Sequence, residues 1–229
     1  MAPPLGEEPG GLRHELIAEV VRCLPPSTGE DCVRVGIDGV DGAGKSVFAR
    51  ELADALRAGG RPVIEVSADD WHHQRAVRHA RGERSAEGFW LDSYDYVRFR
   101  AEVLEPLGPG GTRRFRRRGH SMETDAVLRG PYEVAPPGGV VVVDGLFLQR
   151  CELEGCFEFV VWLDVPFEET ARRMARRDGS SPDPGHPSMG RYVGGQRIYF
   201  ALRSPWQRAD LTVDNTDFAR PRIVEGAFD

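Results

Sequence analysis

The amino-acid sequence predicts an α/β fold in which five parallel strands form one doubly wound sheet. Three observations lead to this prediction. Apolar runs of strand length alternate along the chain with segments of helical periodicity. A Gly-rich turn separates the strand predicted over 32–38 from the helix predicted over 45–58. The run Val140–Val143 is apolar throughout, which is typical of a strand buried on both faces of a parallel sheet.

The order of the elements indicates helical crossovers between parallel strands. The predicted helices span 11–24, 45–58, 96–107, 166–178 and 191–208. The core strands span 32–38, 62–67, 140–145, 157–164 and 210–215, and a further strand with a basic face is predicted over 112–118. Residues 71–90 give no clear prediction, and the Gly/Pro/Ser-rich segment 179–190 is predicted to be a loop. Residues 1–10 are predicted to be a disordered leader, 11–218 a single domain and 219–229 a tail.

Composition excludes several classes of protein. No window of this 229-residue chain approaches the roughly 20 apolar residues of a membrane span, and the acidic, Pro/Gly-rich start lacks the apolar core of a signal peptide. A net charge of −6 argues against a general nucleic-acid binder. The four cysteines show no zinc-ligand spacing, so reduced thiols and a cytoplasmic location are expected.

A phosphate-binding loop is predicted at 39–46, where the sequence GVDGAGKS matches G-x-x-x-x-G-K-[ST] between a strand and a helix. Glycines let backbone N–H groups wrap around phosphates, and the helix N-terminus adds positive potential. Lys45 is the only lysine of the chain, which makes its position at this loop informative. The predicted nucleotide-binding residues are Gly39, Asp41, Gly42, Ala43, Gly44, Lys45, Ser46 and Val47.

Acidic residues follow two other predicted strands. Asp144 ends the Val140–Val143 strand, where an acid faces the ligand crevice of such a sheet, and it is predicted to place Mg²⁺ together with the Ser46 hydroxyl. Asp69 and Asp70 follow the strand at 62–67. An acid there can accept the proton of an attacking hydroxyl or hold a metal-bound water, although one of the two can instead cap a helix.

The spaced set of motifs resembles the uridine kinase and phosphoribulokinase group of P-loop kinases over roughly 32–215. The motifs are GIDGVDGAGKS at 36–46, SADDWHH at 67–73, VVVDGLFL at 141–148, VVWLDVPFEETARRMARRD at 160–178, RYVGGQRIYF at 191–200 and RADLTVDN at 208–215. The resemblance implies a cytosolic kinase for small molecules that uses ATP and Mg²⁺. It also implies a P-loop kinase fold with a helical lid over about 173–197, and self-association.

The resemblance also assigns roles to individual residues. Asp69 corresponds to the acid beside the hydroxyl that is phosphorylated, and so is the candidate base, with Trp71 beside it in the substrate site. Asp92 or Asp95, in FWLDSYDY, corresponds to the acid that holds ribose hydroxyls. The lid-helix arginines that grip phosphates correspond to Arg173 and Arg177. On the next helix, Tyr192 and Arg197 correspond to further substrate-site residues.

One stretch departs from the uridine kinase pattern. Uridine kinases carry an aromatic–x–aromatic–x–x–His sequence that holds the pyrimidine. Here Phe115 and His120 keep the first aromatic residue and the histidine, but Arg117 replaces the second aromatic residue. A guanidinium can stack on a base or bind a carboxylate or phosphate, so an anionic substrate is an alternative to a nucleoside. Strand alternation is expected to direct at least half of the neighbouring arginines to solvent.

The predicted function is transfer of the γ-phosphoryl group of ATP to a hydroxyl of a small molecule, with a nucleoside as the first choice of acceptor. Nicotinamide riboside, a sugar phosphate and a specialised metabolite are the alternatives. A nucleotide-dependent switch protein without an acceptor is the alternative of another class. A switch requires neither Asp69 nor an Arg-rich lid, so these features favour a kinase. RNA binding through the arginines at 113–118 is a minor alternative.

Overall fold

A computed structural model describes residues 9–224. Its central sheet has six strands in the order β10-β9-β8-β1-β7-β2. These strands are β1 (Val33–Gly39), β2 (Val63–Ser67), β7 (Val140–Asp144), β8 (Phe159–Asp164), β9 (Leu211–Asp214) and β10 (Arg222–Ile223). The first five are parallel, as the sequence predicts, and the two-residue β10 adds an antiparallel edge.

Helices and two small hairpin-like pairs complete the fold. The helices are α1 (Pro9–Cys23), α2 (Lys45–Ala58), α3 (Arg75–Arg78), α4 (Ala86–Asp92), α5 (Tyr96–Phe99), α6 (Phe167–Asp178), α7 (Gly190–Arg203) and α8 (Pro205–Arg208). The short strands are β3 (Arg114–Phe115), β4 (His120–Ser121), β5 (Ala126–Val127) and β6 (Glu133–Val134), and they pair β3 with β6 and β4 with β5. Helix α5 continues as a π-helical turn to Leu104, three residues short of the predicted end.

Strand β1 is the centre of the molecule. All seven of its residues are buried, because β7 and β8 flank it in the sheet and helix α2 packs on β1, β2 and β7. Helix α1 packs on α2 in turn. The β-branched valines of β7 suit this position because their branched side chains fill a pleated surface that is covered on both faces.

Three sequence predictions differ in part from the structure. The strand predicted over 112–118 is wrong except at Arg114–Phe115, since Arg113 adopts a left-handed backbone with φ of 58° that interrupts extended pairing. Helix α1 begins at Pro9 rather than at residue 11, and β10 lies inside the predicted tail. The rest of the predicted leader lies outside the described residues.

The carboxyl ends of the parallel strands meet at one edge of the sheet. Along this edge, Asp144 of β7 pairs in register with Ile37 of β1 and with Ser67 of β2. The chain passes from one side of β1 to the other as β7 leads to β8, and ligands of such sheets bind at this reversal of strand order. Within residues 9–224, all four cysteines are unpaired, and no helix has the length and apolar character needed to cross a membrane.

Candidate active site

The loop between β1 and α2 has the backbone of a phosphate cradle. Gly39, Gly42 and Gly44 have φ angles of 155°, 79° and 96°. A Cβ at Gly42 would lie 2.8 Å from the carbonyl oxygen of Thr170, so glycine is required there by space as well as by conformation. Gly44 caps α2 without a side-chain hydrogen bond, which leaves the first amides of a 14-residue helix open to an anion.

The side chains that follow the loop gather oxygen and nitrogen donors at the same point. Lys45 Nζ donates to the carbonyl oxygen of Val40 at 2.8 Å and so lies folded over the loop. The Ser46 hydroxyl donates to Asp144 Oδ2 at 2.6 Å. Burial raises the pKa of the Asp144 carboxyl, and the hydrogen bond from Ser46 opposes that shift. A hydroxyl beside a carboxylate is a donor set that Mg²⁺ accepts, so these two residues fit the predicted metal role.

Asp69 and Asp70 have different surroundings. Both lie on a 3₁₀ turn, Ala68–Trp71, that begins where β2 ends. Asp69 Oδ1 accepts a hydrogen bond from the Tyr94 hydroxyl at 2.9 Å, and the residue faces the phosphate loop. Asp70 instead pairs with Arg118, whose Nε lies 2.8 Å from its Oδ1. The geometry therefore separates two acids that the sequence leaves as alternatives.

Arg173 and Arg177 of α6 approach the loop in different ways. Arg173 contacts backbone carbonyl oxygens through its two terminal nitrogens: Nη1 lies 3.3 Å from that of Ala43, and Nη2 lies 2.8 Å from those of Asn215 and Thr216. Its Nε donates to Glu169 at 3.1 Å. Arg177 is 61% exposed and lies 3.8 Å from the Asp41 carboxylate. Arg177 also pairs with its neighbour Asp178 at 2.8 Å. Arg173 thus holds the loop through main-chain contacts, whereas Arg177 is the more exposed cation.

These groups line one cavity of about 380 Å³. Its walls are Asp41, Gly42, Gly44, Lys45, Ser46, Val47, Asp69, Arg173, Met174, Arg177 and Phe218. A second cavity of about 470 Å³ shares Arg173 and Phe218 and extends between α6 and residues 216–218. The structure thus brings the phosphate-loop residues, Asp69, Arg173 and Arg177 together.

The other predicted substrate residues lie outside this cavity. Trp71, Phe115 and His120 are buried, with His120 Nε2 3.2 Å from Asp125. The acids of the FWLDSYDY segment have local partners: Asp92 pairs with Arg81 at 3.0 Å, and Asp95 caps α5 by accepting from the Arg98 amide at 3.0 Å.

Two residues of α7 from the predicted set make aromatic contacts. Tyr192 packs edge-on against Phe89, and the exposed Arg197 lies over the ring of Phe167. Neither lines the cavity that contains the phosphate loop.

Four of the five arginines in the basic run at 113–118 pair with acids of the same chain, whereas Arg114 lies over the ring of Tyr132. Arg117 pairs with Glu133 and also donates to the carbonyl oxygen of Glu65 at 2.8 Å. The other ion pairs of the run are Arg113–Glu30, Arg116–Glu102 and Arg118–Asp70. The Arg117 guanidinium, predicted as a possible anion-binding group, is therefore paired with an acid of the chain itself.

Sequence reasoning missed three residues beside the loop. The Gln196 side-chain oxygen accepts from the Asp41 amide at 2.7 Å, and the Asn215 side chain donates to the carbonyl oxygen of Ala43 at 2.7 Å. Phe218 borders both cavities. All three lie more than 100 residues from the loop along the chain, so no local spacing could reveal them. The only available signal was that Asn215 follows the last core strand, at the ligand-binding edge of the sheet.

Comparison with solved structures identifies the class to which the fold belongs. The chain superposes on a "possible uridine kinase" from Bacillus stearothermophilus with a TM-score of 0.68 and 21% identity, over 87% of this chain and 96% of that one. A "putative fructose transport system kinase" from Silicibacter sp. TM1040 gives a TM-score of 0.68 and 24% identity, over 87% and 98%. The YGR205w protein gives 0.60 and 11%, over 96% and 100%. No protein-family model and no curated protein sequence matches the chain.

The fold is that of P-loop kinases. The predicted α/β class with a mainly parallel sheet is confirmed, as is the structural resemblance to the uridine kinase and phosphoribulokinase group. Because these neighbours are less than 25% identical to the chain, they define its architecture and leave its reaction to be argued from the site.

Proposed function

We propose that the protein is a kinase that transfers the γ-phosphoryl group of ATP to a hydroxyl of a small molecule. The observation that carries the proposal is the convergence of Lys45, Ser46, Asp69 and Arg177 on one cavity. Phosphoryl transfer requires a phosphate cradle, a metal site, an acid to orient the attacking hydroxyl and cations for the developing charge. The walls of this cavity supply a candidate for each.

The donor half of the site is the loop and the start of α2. Open amides of α2 and the Lys45 ammonium would hold the β- and γ-phosphates, once Lys45 exchanges its contact with Val40 for the nucleotide. Ser46 and Asp144 would hold Mg²⁺, which neutralises phosphate charge when bound. The cavity between α6 and Phe218 shares Arg173 and Phe218 with this half, and the aromatic ring of Phe218 offers a stacking surface for a base.

Asp69 defines the acceptor half. Tyr94 holds one carboxylate oxygen, and this fixes the orientation of the carboxylate and leaves its other oxygen to accept the proton of the attacking hydroxyl. Burial and the charge of Asp69 raise the pKa of the Tyr94 phenol well above its usual range, so Tyr94 stays protonated and remains a hydrogen-bond donor to Asp69. Arg177 would stabilise charge on the transferring group, while Arg173 keeps the loop in shape.

The acceptor is proposed to be nucleoside-like, by resemblance to uridine kinases. A sugar or sugar phosphate is the second class, because one structural neighbour is described as a fructose transport system kinase. The internal ion pairs of Arg116, Arg117 and Arg118 favour an uncharged acceptor over an anionic one. A cytoplasmic location accords with the free cysteines of the described chain.

The test is release of ADP from ATP and Mg²⁺ in the presence of a panel of nucleosides, ribosides, sugars and sugar phosphates. One acceptor class should raise turnover far above the rate without acceptor, and Lys45→Ala should abolish that turnover with the fold retained by circular dichroism. Full activity in Lys45→Ala would exclude the loop as the donor site. A flat response across the panel, with ATP still bound, would favour the nucleotide switch.

A further inference from the structure

We propose that Arg13, on the amino-terminal helix, is a positioning residue for the nucleotide site. The inference rests on the proposed function of that site and adds a part of the chain that precedes the predicted strand–loop–helix unit. Arg13 is 7% exposed, although arginine is rarely buried without partners. Its guanidinium lies between α1, α2 and the segment after β9.

The contacts of Arg13 form a fork that joins two parts of the molecule. On one side, Nε lies 2.9 and 2.8 Å from the two carboxylate oxygens of Glu51 on α2. On the other, Nη1 donates to Asn215 Oδ1 at 2.9 Å and to the carbonyl oxygen of Phe218 at 3.2 Å. A planar guanidinium can meet these directions together, whereas the ammonium of a lysine is a single point of charge.

Asn215 links Arg13 to the phosphate loop through hydrogen bonds at both ends of its side-chain amide. It is fully buried, and its Nδ2 donates to the carbonyl oxygen of Ala43 at 2.7 Å. A Cβ on Gly44 would lie 3.0 Å from that nitrogen, so the amide group sits directly against the last residue of the loop. A guanidinium can only donate hydrogen bonds, so Arg13 can pair with the oxygen of the Asn215 amide but not with its NH₂ group. Arg13 therefore fixes the NH₂ group of Asn215 toward Ala43.

Phe218 is the second wall that Arg13 holds. The guanidinium carbon lies 4.0 Å from the centre of the Phe218 ring, within cation–π distance, while the ring borders both cavities of the site. Arg13 therefore supports both the loop that cradles phosphates and the ring beside the neighbouring cavity. A contribution to stability does not by itself explain a buried arginine here, since apolar residues often replace a buried ion pair without loss of folding stability.

Nucleotide binding to an Arg13 variant and to a control variant tests the proposal. In Arg13→Met, we expect the Kd and KM for ATP to rise by about tenfold, the effect of losing a charged hydrogen bond. The kcat at saturating ATP and the KM for the acceptor should change by less than about twofold, because only donor binding is affected. Arg22→Met, an exposed arginine of the same helix, is the matched control and should leave the Kd unchanged.

Coupling to Asn215 separates positioning from general stability. Because Arg13 acts through Asn215 but also contacts Phe218 directly, the ATP affinity lost in the Arg13→Met/Asn215→Ala double variant should be clearly smaller than the sum of the two single losses. Additive losses, or an ATP Kd of Arg13→Met within about twofold of the wild type, would overturn the proposal. If Arg13→Met does not fold, Arg13→Lys replaces it in the test, because lysine keeps the charge and lacks the planar guanidinium. A wild-type Kd for ATP in Arg13→Lys would also overturn the proposal.

The design also distinguishes this proposal from the function on which it rests. Lys45→Ala reports on the donor site itself. If Lys45→Ala weakens ATP binding and Arg13→Met does not, only the role of Arg13 fails. If the wild type binds ATP but phosphorylates no acceptor, kinase activity fails while the Kd values still decide the role of Arg13.

Discussion

The position of Lys45 supports a functional role for this residue more strongly than the amino-acid composition alone does. Of the 30 Lys and Arg residues, it is the only lysine, and it stands at the phosphate loop. A compact ammonium on a flexible stem fits beneath a pair of phosphates, whereas a planar guanidinium needs room for its fork. The only lysine of the chain therefore stands where the proposed phosphate contact favours a compact ammonium.

Asp69 should be the acid whose loss affects turnover most. Replacing it with Asn removes the proton acceptor but keeps the contact with Tyr94, so kcat should fall by about 10²-fold or more with little change in ATP affinity. Steady-state kinetics and calorimetry measure the two quantities. Asp70→Asn is the control, since that acid pairs with Arg118, and its kcat should stay within about twofold of the wild type. A greater loss at Asp70 than at Asp69 would reverse the assignment.

Arg177 and Arg172 offer a matched pair on helix α6. Both side chains are 61% exposed and both contact an acid, but only Arg177 borders the cavity. Arg177→Ala should reduce kcat by about 10²- to 10³-fold, the loss typical of one donor to developing charge. Arg172→Ala should leave kcat close to the wild-type value. Equal effects on kcat in the two variants would show that the role of this helix is structural only.

At the scale of elements, α7 connects the two halves of the site. Gln196 meets the Asp41 amide of the phosphate loop, and Arg191 donates to the carbonyl oxygens of Arg78, Glu83 and Ser85 in the segment that leads into α4. The helices approach closely because Gly194 and Gly195 face α4, where added Cβ atoms would lie 2.6 Å from Ala86 and Phe89. This packing ties the phosphate loop to the segment after Asp69.

Glycine substitutions along α7 should separate helix propensity from packing. Gly195→Ala should destabilise the protein by about 1–3 kcal/mol, because the methyl group meets the Phe89 ring and overpacks the contact. Gly190→Ala should be neutral or stabilise by up to about 1 kcal/mol, since among the described residues nothing lies within 4 Å of its added Cβ. Urea unfolding measures both free energies. A stabilising Gly195→Ala would mean that α7 and α4 can separate freely.

The elements that the sequence predicts well are those fixed by local chemistry. Helix α2 has the predicted bounds, and the loop before it follows from glycines and one lysine at fixed spacing. The segment 71–90 could not be predicted because long-range contacts hold it, such as the Asp125 carboxylate that accepts from the Arg75 amide at 2.9 Å. The strand predicted over 112–118 is shortened to Arg114–Phe115 because no local pattern reveals the left-handed backbone of Arg113.

At the scale of the whole molecule, the candidate site depends on topology. Strand β1 runs between β7 and β8, so the loop, Asp144 and helix α6 after β8 meet although about 120 residues separate the first from the last. Alternating strands and helices predict this edge, which is why the loop, Asp69 and Asp144 could be chosen from the sequence, whereas Arg177 is assigned by the resemblance to P-loop kinases. Arg13 and Asn215 depend on how the terminal segments fold back over α2, and no periodicity encodes that.

Asp38 links this topology to the stability of the entire fold. It lies fully buried at the end of β1, where its carboxylate accepts from the Gly39 amide, the Tyr199 hydroxyl and the Gln149 side chain. Burial raises the pKa of Asp38 above 3.8, and the hydrogen bonds from Tyr199 and Gly39 oppose that shift. A raised pKa means that the folded state prefers the protonated acid more strongly than the unfolded state does.

The sign of the pH dependence follows from that preference. The contribution of Asp38 to stability is fully present below its unfolded pKa, near 3.8, and is lost as pH rises through its folded pKa. Asn cannot ionise, so the stability of Asp38→Asn relative to the wild type should increase as pH rises from 4 toward 8. Urea unfolding of both proteins across that range measures the difference, with the exposed Asp54→Asn as a control. A difference that falls with pH would mean that Asp38 is held as a stabilised carboxylate beside the phosphate loop.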